Sequence, residues 1–155
     1  MVNLIITLIS IALIAIVAVA ALYNGGDAFR QGSANASAAQ LVNAGQQISA
    51  ANILYANDNS GAYATSLEND LTAGGAYLSS EPRVPNGFSI NDDITGNVIT
   101  VTSSDPAAEI CEAVNKQGGY DEASLTNGAL ADSAAINKTF GCYGDDTAGY
   151  TFEFK

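Results

Sequence analysis

The stretch that most limits how this chain can fold is its N-terminal apolar run. Residues 2–22 read VNLIITLISIALIAIVAVAAL and contain no charged side chain. A helix of about 20 apolar residues is long enough to cross the hydrocarbon core of a bilayer. Only a helix or a closed barrel satisfies the backbone in such a medium, and a single segment cannot close a barrel. The run therefore predicts one helix that lies in lipid, or in protein that replaces lipid.

Three roles are open to this helix. As a secretory signal peptide it offers the small residues Ala18-Val19-Ala20 as a cleavage site, but no Lys or Arg precedes its apolar part, which is long for a signal core. As a plain anchor it spans the membrane once. As an assembly helix it leaves the membrane and packs against copies of itself. Because the flanks lack a Lys/Arg bias, loop charge does not define its orientation.

The residues after the run suffice for one modest globular domain. The 155-residue chain has 16 acidic side chains, 5 basic ones and no histidine, for a net charge of −11. We expect no nucleic-acid partner, because phosphate binding needs clustered Lys and Arg. The cysteine pair, Cys111 and Cys142, favours a disulfide in an exported domain, with two unlinked buried thiols as the alternative. Two cysteines without histidine do not complete a usual zinc site.

Glycines mark the end of the apolar run. Gly25 and Gly26, with Gly32 close behind, predict a bend or a melted linker over residues 24–33, since each glycine costs a helix about 1 kcal/mol relative to alanine. Residues 34–57 then predict an amphipathic helix, because apolar side chains recur at three- and four-residue steps. Its other face is small and uncharged, and suits either contact with further subunits or contact with water.

The rest of the chain predicts an antiparallel sheet. Strands are predicted at residues 88–90, 97–102 and 150–154, the last with one apolar and one polar face. A helix from Ser104-Asp105-Pro106 to about Lys116 places Ile110, Cys111 and Val114 on one face. Short helical turns near residues 65–71 and 129–136 interrupt polar connections. This order predicts an α+β domain: a long N-terminal hydrophobic helix whose second half packs on an antiparallel sheet, with a C-terminal disulfide-bounded region.

The sequence contains no recognisable catalytic constellation, because it lacks histidine and places no serine beside a plausible base. We therefore expect no enzyme activity, no cofactor and no metal site. Asp and Asn oxygens cluster at residues 57–59, 91–93 and 145–146, where calcium is the alternative to solvated turns, which we take as the default. Asn137-Lys138-Thr139 fits the pattern of an N-glycosylation acceptor.

Four features together carry a family resemblance. They are the uncharged run leading into an amphipathic helix, the motif Tyr55-x-x-Asp58-x-x-Gly61-x-Tyr63 where that helix ends, the predicted sheet, and the loop from Cys111 to Cys142. In these the chain resembles the type IV pilin and pseudopilin family over nearly its whole length. A first cysteine inside a helix just after strands, as in PAAEICEAVNK, is most similar to the type IVb branch.

Two family features are missing. The usual glutamate at the fifth mature residue, which pairs with a neighbour's N-terminal amine, is replaced by Ile5, and the basic leader ending in glycine is absent. Either Met1 is the first mature residue after removal of a leader, or the sequence belongs to an atypical branch of the family. The polar side chains of the run, Asn3, Thr7 and Ser10, can bond a backbone carbonyl or a neighbouring amine.

The resemblance implies a structural subunit of an extracellular helical filament that polymerises through its N-terminal helix. It implies a transmembrane or filament-core helix at residues 1–23, a glycine-containing bend or linker at 24–33, and a globular head at 34–155. The residues expected to pack the filament core are Leu4, Ile5, Leu8, Ile11, Ile14 and Val17.

The resemblance also implies partners and a location. The expected partners are other copies of the chain, the membrane before assembly, and the pilus assembly machinery. The subunit is expected in the inner membrane before assembly and in a cell-surface filament afterwards. The alternatives are a minor pilin or secretion pseudopilin that primes assembly, and a membrane-anchored exported binding domain that never polymerises.

Overall fold

A computed structural model describes residues 2–95, 98–103 and 107–155, except for the side chains of Val2, Tyr23, Asn24 and Asp27. The chain is α+β, with a long N-terminal helix and a four-stranded antiparallel sheet. It divides into two compact units, the first ending at Ser33 and the second covering Ala34–Lys155.

Helix α1 runs from Val2 to Asp58. Its backbone is helical through residues 24–33, so the melted form of the predicted linker is wrong, while a bend at Gly25 and Gly26 stays a prediction. A Cβ atom added at either glycine would meet no atom within 4 Å. These glycines therefore weaken the helix mainly through the entropy of a freer backbone, about 1 kcal/mol each, which is too little to forbid it.

The sheet belongs to the second unit. Its strands are β1 (Phe88–Ile90), β2 (Ile99–Ser103), β3 (Phe140–Asp145) and β4 (Gly149–Phe154). All neighbours pair antiparallel in the order β1-β2-β4-β3. Helix α2 (Ala108–Gln117) lies between β2 and β3 in the chain. The predicted strand start at Asn97 and the predicted helix start at Ser104-Asp105-Pro106 lie outside the described residues.

Strand β3 is the element that the sequence did not predict. Its residues FGCYGD contain two glycines and no β-branched side chain, a composition that suggests a loop. The strand is formed because it pairs along its whole length with β4. The turn that joins them is closed by Asp145, whose Oδ1 accepts the N–H groups of Thr147 and Ala148 at 2.8 and 2.7 Å.

Helix α1 shares a buried core with the sheet inside the second unit. Ala38, Leu41 and Ile48 of α1 are fully buried in one cluster with Val101 of β2 and Phe152 of β4. The spacing of the three helical residues is the amphipathic pattern expected from the sequence.

At Gly45 the backbone of α1 lies close to the end of β4. A Cβ atom added at Gly45 would lie 2.8 Å from Cδ2 of Phe154, closer than carbon atoms pack. The helix backbone therefore meets the end of β4 at a separation that only glycine allows.

The C-terminal end of α1 is fixed by polar and aromatic contacts. The Tyr55 and Tyr77 rings meet edge-on with centroids 5.4 Å apart, and the Tyr77 hydroxyl donates to Asp58 at 3.2 Å. Gly61 has a φ of 91° and donates its N–H to the Ala56 carbonyl at 2.7 Å, which ends the helix. The predicted short helix that follows is a π-helical turn, Leu67–Thr72.

One face of β4 differs from the predicted alternation. Tyr150, Phe152 and Phe154 are buried as expected, but Glu153, expected on a polar face, is only 5% exposed. Its carboxylate pairs with Lys155 at 3.3 Å. The Lys155 ammonium also donates to the Ile136 carbonyl at 3.2 Å, so this face is covered by the chain before β3.

Candidate functional surface: an exposed apolar helix

The first unit presents a continuous apolar surface. Every side chain from Asn3 to Leu22 is exposed, and this 20-residue segment has a mean hydropathy of 3.0 with none of it buried. At about 1.5 Å per residue it is about 30 Å long, which matches the hydrocarbon thickness of a bilayer. A surface of this size and character is covered by lipid or by protein rather than by water. By length and composition it is a candidate membrane anchor or signal sequence.

The residues predicted to pack a filament core all lie on this surface. Ile5 is the least exposed of the six at 56%, and Leu4 and Ile14 are the most exposed at 69%. They occupy several sides of the helix, which is apolar all round, as in helices surrounded by lipid or by other apolar helices. Their packing role stays a prediction, since no contact within the chain tests it.

The hydroxyl groups in the run are satisfied by their own helix. Thr7 Oγ1 donates to the Leu4 carbonyl at 2.9 Å, and Ser10 Oγ donates to the Ile6 carbonyl at 2.9 Å. Of the two roles predicted for these side chains, bonding to a backbone carbonyl is the one observed. The helix can therefore enter an apolar environment without leaving these hydroxyls unpaired.

The predicted disulfide is present. Cys111 of α2 and Cys142 of β3 are bonded, with their Cα atoms 5.3 Å apart, and both residues are about 1% exposed. The bond joins the helix to the edge strand of the sheet. It links the two elements across 31 residues of chain.

Two of the acidic segments that were weighed for calcium, residues 91–93 and 145–146, accept hydrogen bonds from the backbone of the head. Asp92 accepts from the Glu68 N–H at 2.7 Å and from the Ser66 hydroxyl. Nearby, the N–H groups of Thr65 and Ser66 hold the pKa of Asp70 below its ordinary value. Among the described residues, no group of three or more His, Cys, Asp or Glu side chains is arranged to hold a metal ion.

A groove of about 460 Å³ lies beside the π-helical turn. It is lined by Leu67, Glu68, Thr72, Glu81, Ile90 and Asp92. Its polar groups are carboxylates and one hydroxyl, and the Thr72 hydroxyl donates to the Glu68 carbonyl at 3.0 Å. This arrangement provides no nucleophile paired with a base.

Two buried asparagines were missed by sequence reasoning. Asn52 and Asn115 are fully buried, and Asn52 Oδ1 accepts the Ala64 N–H at 2.8 Å. Asn115 lies one helical turn after Cys111, so its position on the buried face of α2 was the available signal. The predicted glycosylation acceptor Asn137, in contrast, is exposed in an irregular segment before β3, and its modification stays a prediction.

Comparison of the chain with protein-family models, curated proteins and solved structures finds no match. The family resemblance therefore rests on the residues themselves. It enters the functional argument only as a proposal.

Proposed function

We propose that this chain is a structural subunit of a type IV pilus-like extracellular filament, and that it polymerises through residues 3–22 of α1. The observation that carries the proposal is the exposed apolar surface of those residues, placed on a chain whose remainder is a disulfide-linked α+β head. In the membrane this surface contacts lipid. In the filament it contacts the same segment of other copies.

The chemistry of the helix supports packing between copies. Because it is apolar on all sides, one helix can have neighbours in several directions, as a bundle of many copies requires. Alanines recur along it at residues 12, 15, 18, 20 and 21, and small side chains let helix backbones approach closely. The Thr7 and Ser10 hydroxyls are already bonded within the helix, so they add little desolvation cost.

The distribution of charge along the chain supports a filament with an apolar centre and a charged surface. The first charged residue is Asp27, so all 16 acidic and 5 basic side chains follow the apolar segment. A filament with the apolar helices at its centre keeps these charges in water. A buried disulfide suits a head that faces an oxidising compartment. The subunit would thus start in the inner membrane and end in a filament on the cell surface, without catalytic activity.

The proposal is tested on material sheared from cells that express the chain. We expect negative-stain electron microscopy to show thin filaments, and mass spectrometry to identify this chain, with its N-terminal peptide, as their main component. If the chain stays in the membrane fraction and the sheared filaments lack it, it is a membrane-anchored exported domain instead.

The residue at position 5 supports a second candidate. Type IV pilins usually carry glutamate there, and this chain carries Ile5. A minor pilin or secretion pseudopilin that primes assembly is therefore the alternative within the same family. Abundance separates the two, because a major subunit dominates the sheared filaments whereas a primer is present at a few copies per filament.

A further inference from the structure

Helix α2 presents two side chains to one residue of β3. Cys111 and Asn115 are four residues apart, so they lie on the same side of the helix, and both are buried. Cys111 is bonded to the Cys142 sulfur. Asn115 holds the backbone of that same residue.

Asn115 bonds both backbone polar groups of Cys142. Its Oδ1 accepts the Cys142 N–H at 2.8 Å, and its Nδ2 donates to the Cys142 carbonyl at 2.9 Å. The same Nδ2 donates to the Gly128 carbonyl at 2.9 Å. On its other side β3 pairs with β4. The Asn115 amide therefore satisfies the backbone of Cys142 on the side that faces away from β4.

These hydrogen bonds do not require the disulfide. If the Cys142 segment left α2, a fully buried amide and a strand backbone would lose their partners together, and unpaired buried polar groups are costly. The Leu130 N–H also donates to the Cys142 carbonyl, at 2.9 Å, which anchors the segment further. The contacts therefore favour a docked Cys142 even when both thiols are reduced.

We propose that Asn115 is a positioning residue for disulfide formation: it docks Cys142 onto α2 before oxidation, so that the bond closes within a folded head. Because both cysteines are buried, one of them must first be exposed by a transient opening of β3. With glutathione disulfide as oxidant, its thiolate then attacks a glutathione sulfur, forms a mixed disulfide and releases one glutathione thiolate. The second cysteine, deprotonated to its thiolate, then attacks the protein sulfur of that mixed disulfide and releases the second glutathione. Two electrons pass to the oxidant, and two protons leave the cysteines. The inference is independent of the filament proposal.

The test compares closure rates in the full chain, held in detergent micelles. The reduced protein is mixed with glutathione disulfide, quenched with acid at intervals, and analysed by mass spectrometry for the mixed and closed forms. Asn115→Leu removes all three hydrogen bonds and keeps the branching and the number of side-chain heavy atoms, although its two methyl groups are bulkier than the amide. We expect it to slow the closing step by roughly tenfold to a hundredfold, the effect of losing two or three buried hydrogen bonds.

Val114→Ala is the matched control. Val114 is a fully buried neighbour on the same helix, and its truncation destabilises the head without touching the Cys142 backbone. We expect this variant to close at nearly the wild-type rate as long as it is folded. Equal slowing in both variants, or no slowing in Asn115→Leu, would overturn the proposal.

A second measurement applies whether or not Asn115→Leu folds when reduced. In a chain with Cys111→Ala and Cys142→Ala, hydrogen exchange reports whether the amide at position 142 stays bonded to Asn115. We expect that amide to be protected from exchange to the same degree as the amides of β4. Free exchange at position 142 while β4 stays protected, or unfolding of the whole head, would show that the docking depends on the disulfide and would overturn the proposal.

Discussion

At the scale of single residues, Gly45 lets the backbone of α1 pack closely against the Phe154 ring. Alanine there places a carbon 2.8 Å from the Phe154 ring, so the ring or the helix must shift. We expect Gly45→Ala to lower the free energy of unfolding of the head by about 1 to 3 kcal/mol, the usual cost of overpacking. Chemical denaturation followed by tyrosine circular dichroism measures it.

Gly32→Ala is the control for this substitution. Gly32 lies in the same helix, and a Cβ atom there would meet nothing within 4 Å. It should leave stability unchanged or raise it slightly, because alanine favours the helix by about 1 kcal/mol. Equal destabilisation by the two variants would show that the Phe154 contact is not the cause.

Three aspartates make the stability of the head depend on pH. Hydrogen bonds formed in the folded state lower the pKa of each carboxyl group. Asp70 is bonded by Thr65 and Ser66, and Asp93 is bonded by Thr95. Asp145 is bonded by Ala148 and Thr147. A lowered folded pKa means that the ionised form stabilises the fold above the unfolded pKa of about 4. This stabilisation is lost as the pH falls through the folded pKa.

We therefore expect the melting temperature of the head to fall when the pH drops below about 4. A variant with Asp70→Asn, Asp93→Asn and Asp145→Asn keeps an acceptor oxygen at each position but cannot titrate there. Thermal melts between neutral and acidic pH should give this variant a lower melting temperature at neutral pH and a shallower acid dependence. An unchanged acid slope would assign the pH dependence to other groups.

Residue-level predictions from the sequence succeeded where a side chain had one plausible environment. The apolar positions Ala38, Leu41 and Ile48 in the second half of α1 were of this kind, and the disulfide between Cys111 and Cys142 was the favoured of two predicted states. Glu153 and Asn115 were not of this kind, because their burial depends on Lys155 and on β3, which are brought to them by the fold rather than by local pattern. The burial of a polar residue can be predicted only when its hydrogen-bonding or ionic partners are known.

At the scale of secondary structure elements, the disulfide links α2 to β3 across 31 residues. We expect the chain with Cys111→Ala and Cys142→Ala to lose roughly 3 to 4 kcal/mol of unfolding free energy, since the open loop gains entropy when unfolded. Denaturation of this variant beside the oxidised wild type measures the loss. No loss of stability would contradict the loop-entropy account of the disulfide, because the Asn115 contacts are expected to hold Cys142 in place with or without the bond.

A charged substitution in the apolar segment of α1 tests directly whether this segment lies in lipid. Lysine at the exposed position Ile11 places a charge in the middle of the segment and should cost roughly 3 kcal/mol in a bilayer. We expect Ile11→Lys to shift the chain from the membrane fraction towards the soluble or degraded pool. Ala36→Lys, at an exposed position of the second unit, is the control and should stay with the membrane. Equal membrane retention would contradict a lipid-facing role.

Elements with a strong periodic pattern were predicted well, and those defined by tertiary pairing were not. The amphipathic part of α1, the strands β1 and β4, and the body of β2 and α2 follow from spacing and β-branched content. Strand β3 has two glycines and depends on β4. The effect of Gly25 and Gly26 on the helix was overestimated, because the helix continues through them at a modest cost in free energy.

At the scale of the whole molecule, the apolar surface and the charged residues belong to different parts of the chain. Residues 3–22 carry no charge and stay exposed, while the second unit has its own buried core and its own disulfide. The second unit therefore has what an independent soluble domain needs. The first has an exposed apolar helix that is long enough to cross a membrane.

The central claim, that the apolar helix drives polymerisation, is tested most directly by removing residues 1–24. Full-length chain and truncated chain are purified, the detergent is withdrawn, and both are imaged by electron microscopy. We predict filaments from the full-length chain, and a soluble, folded monomer from the truncated chain. Filaments formed by the truncated chain would contradict the account.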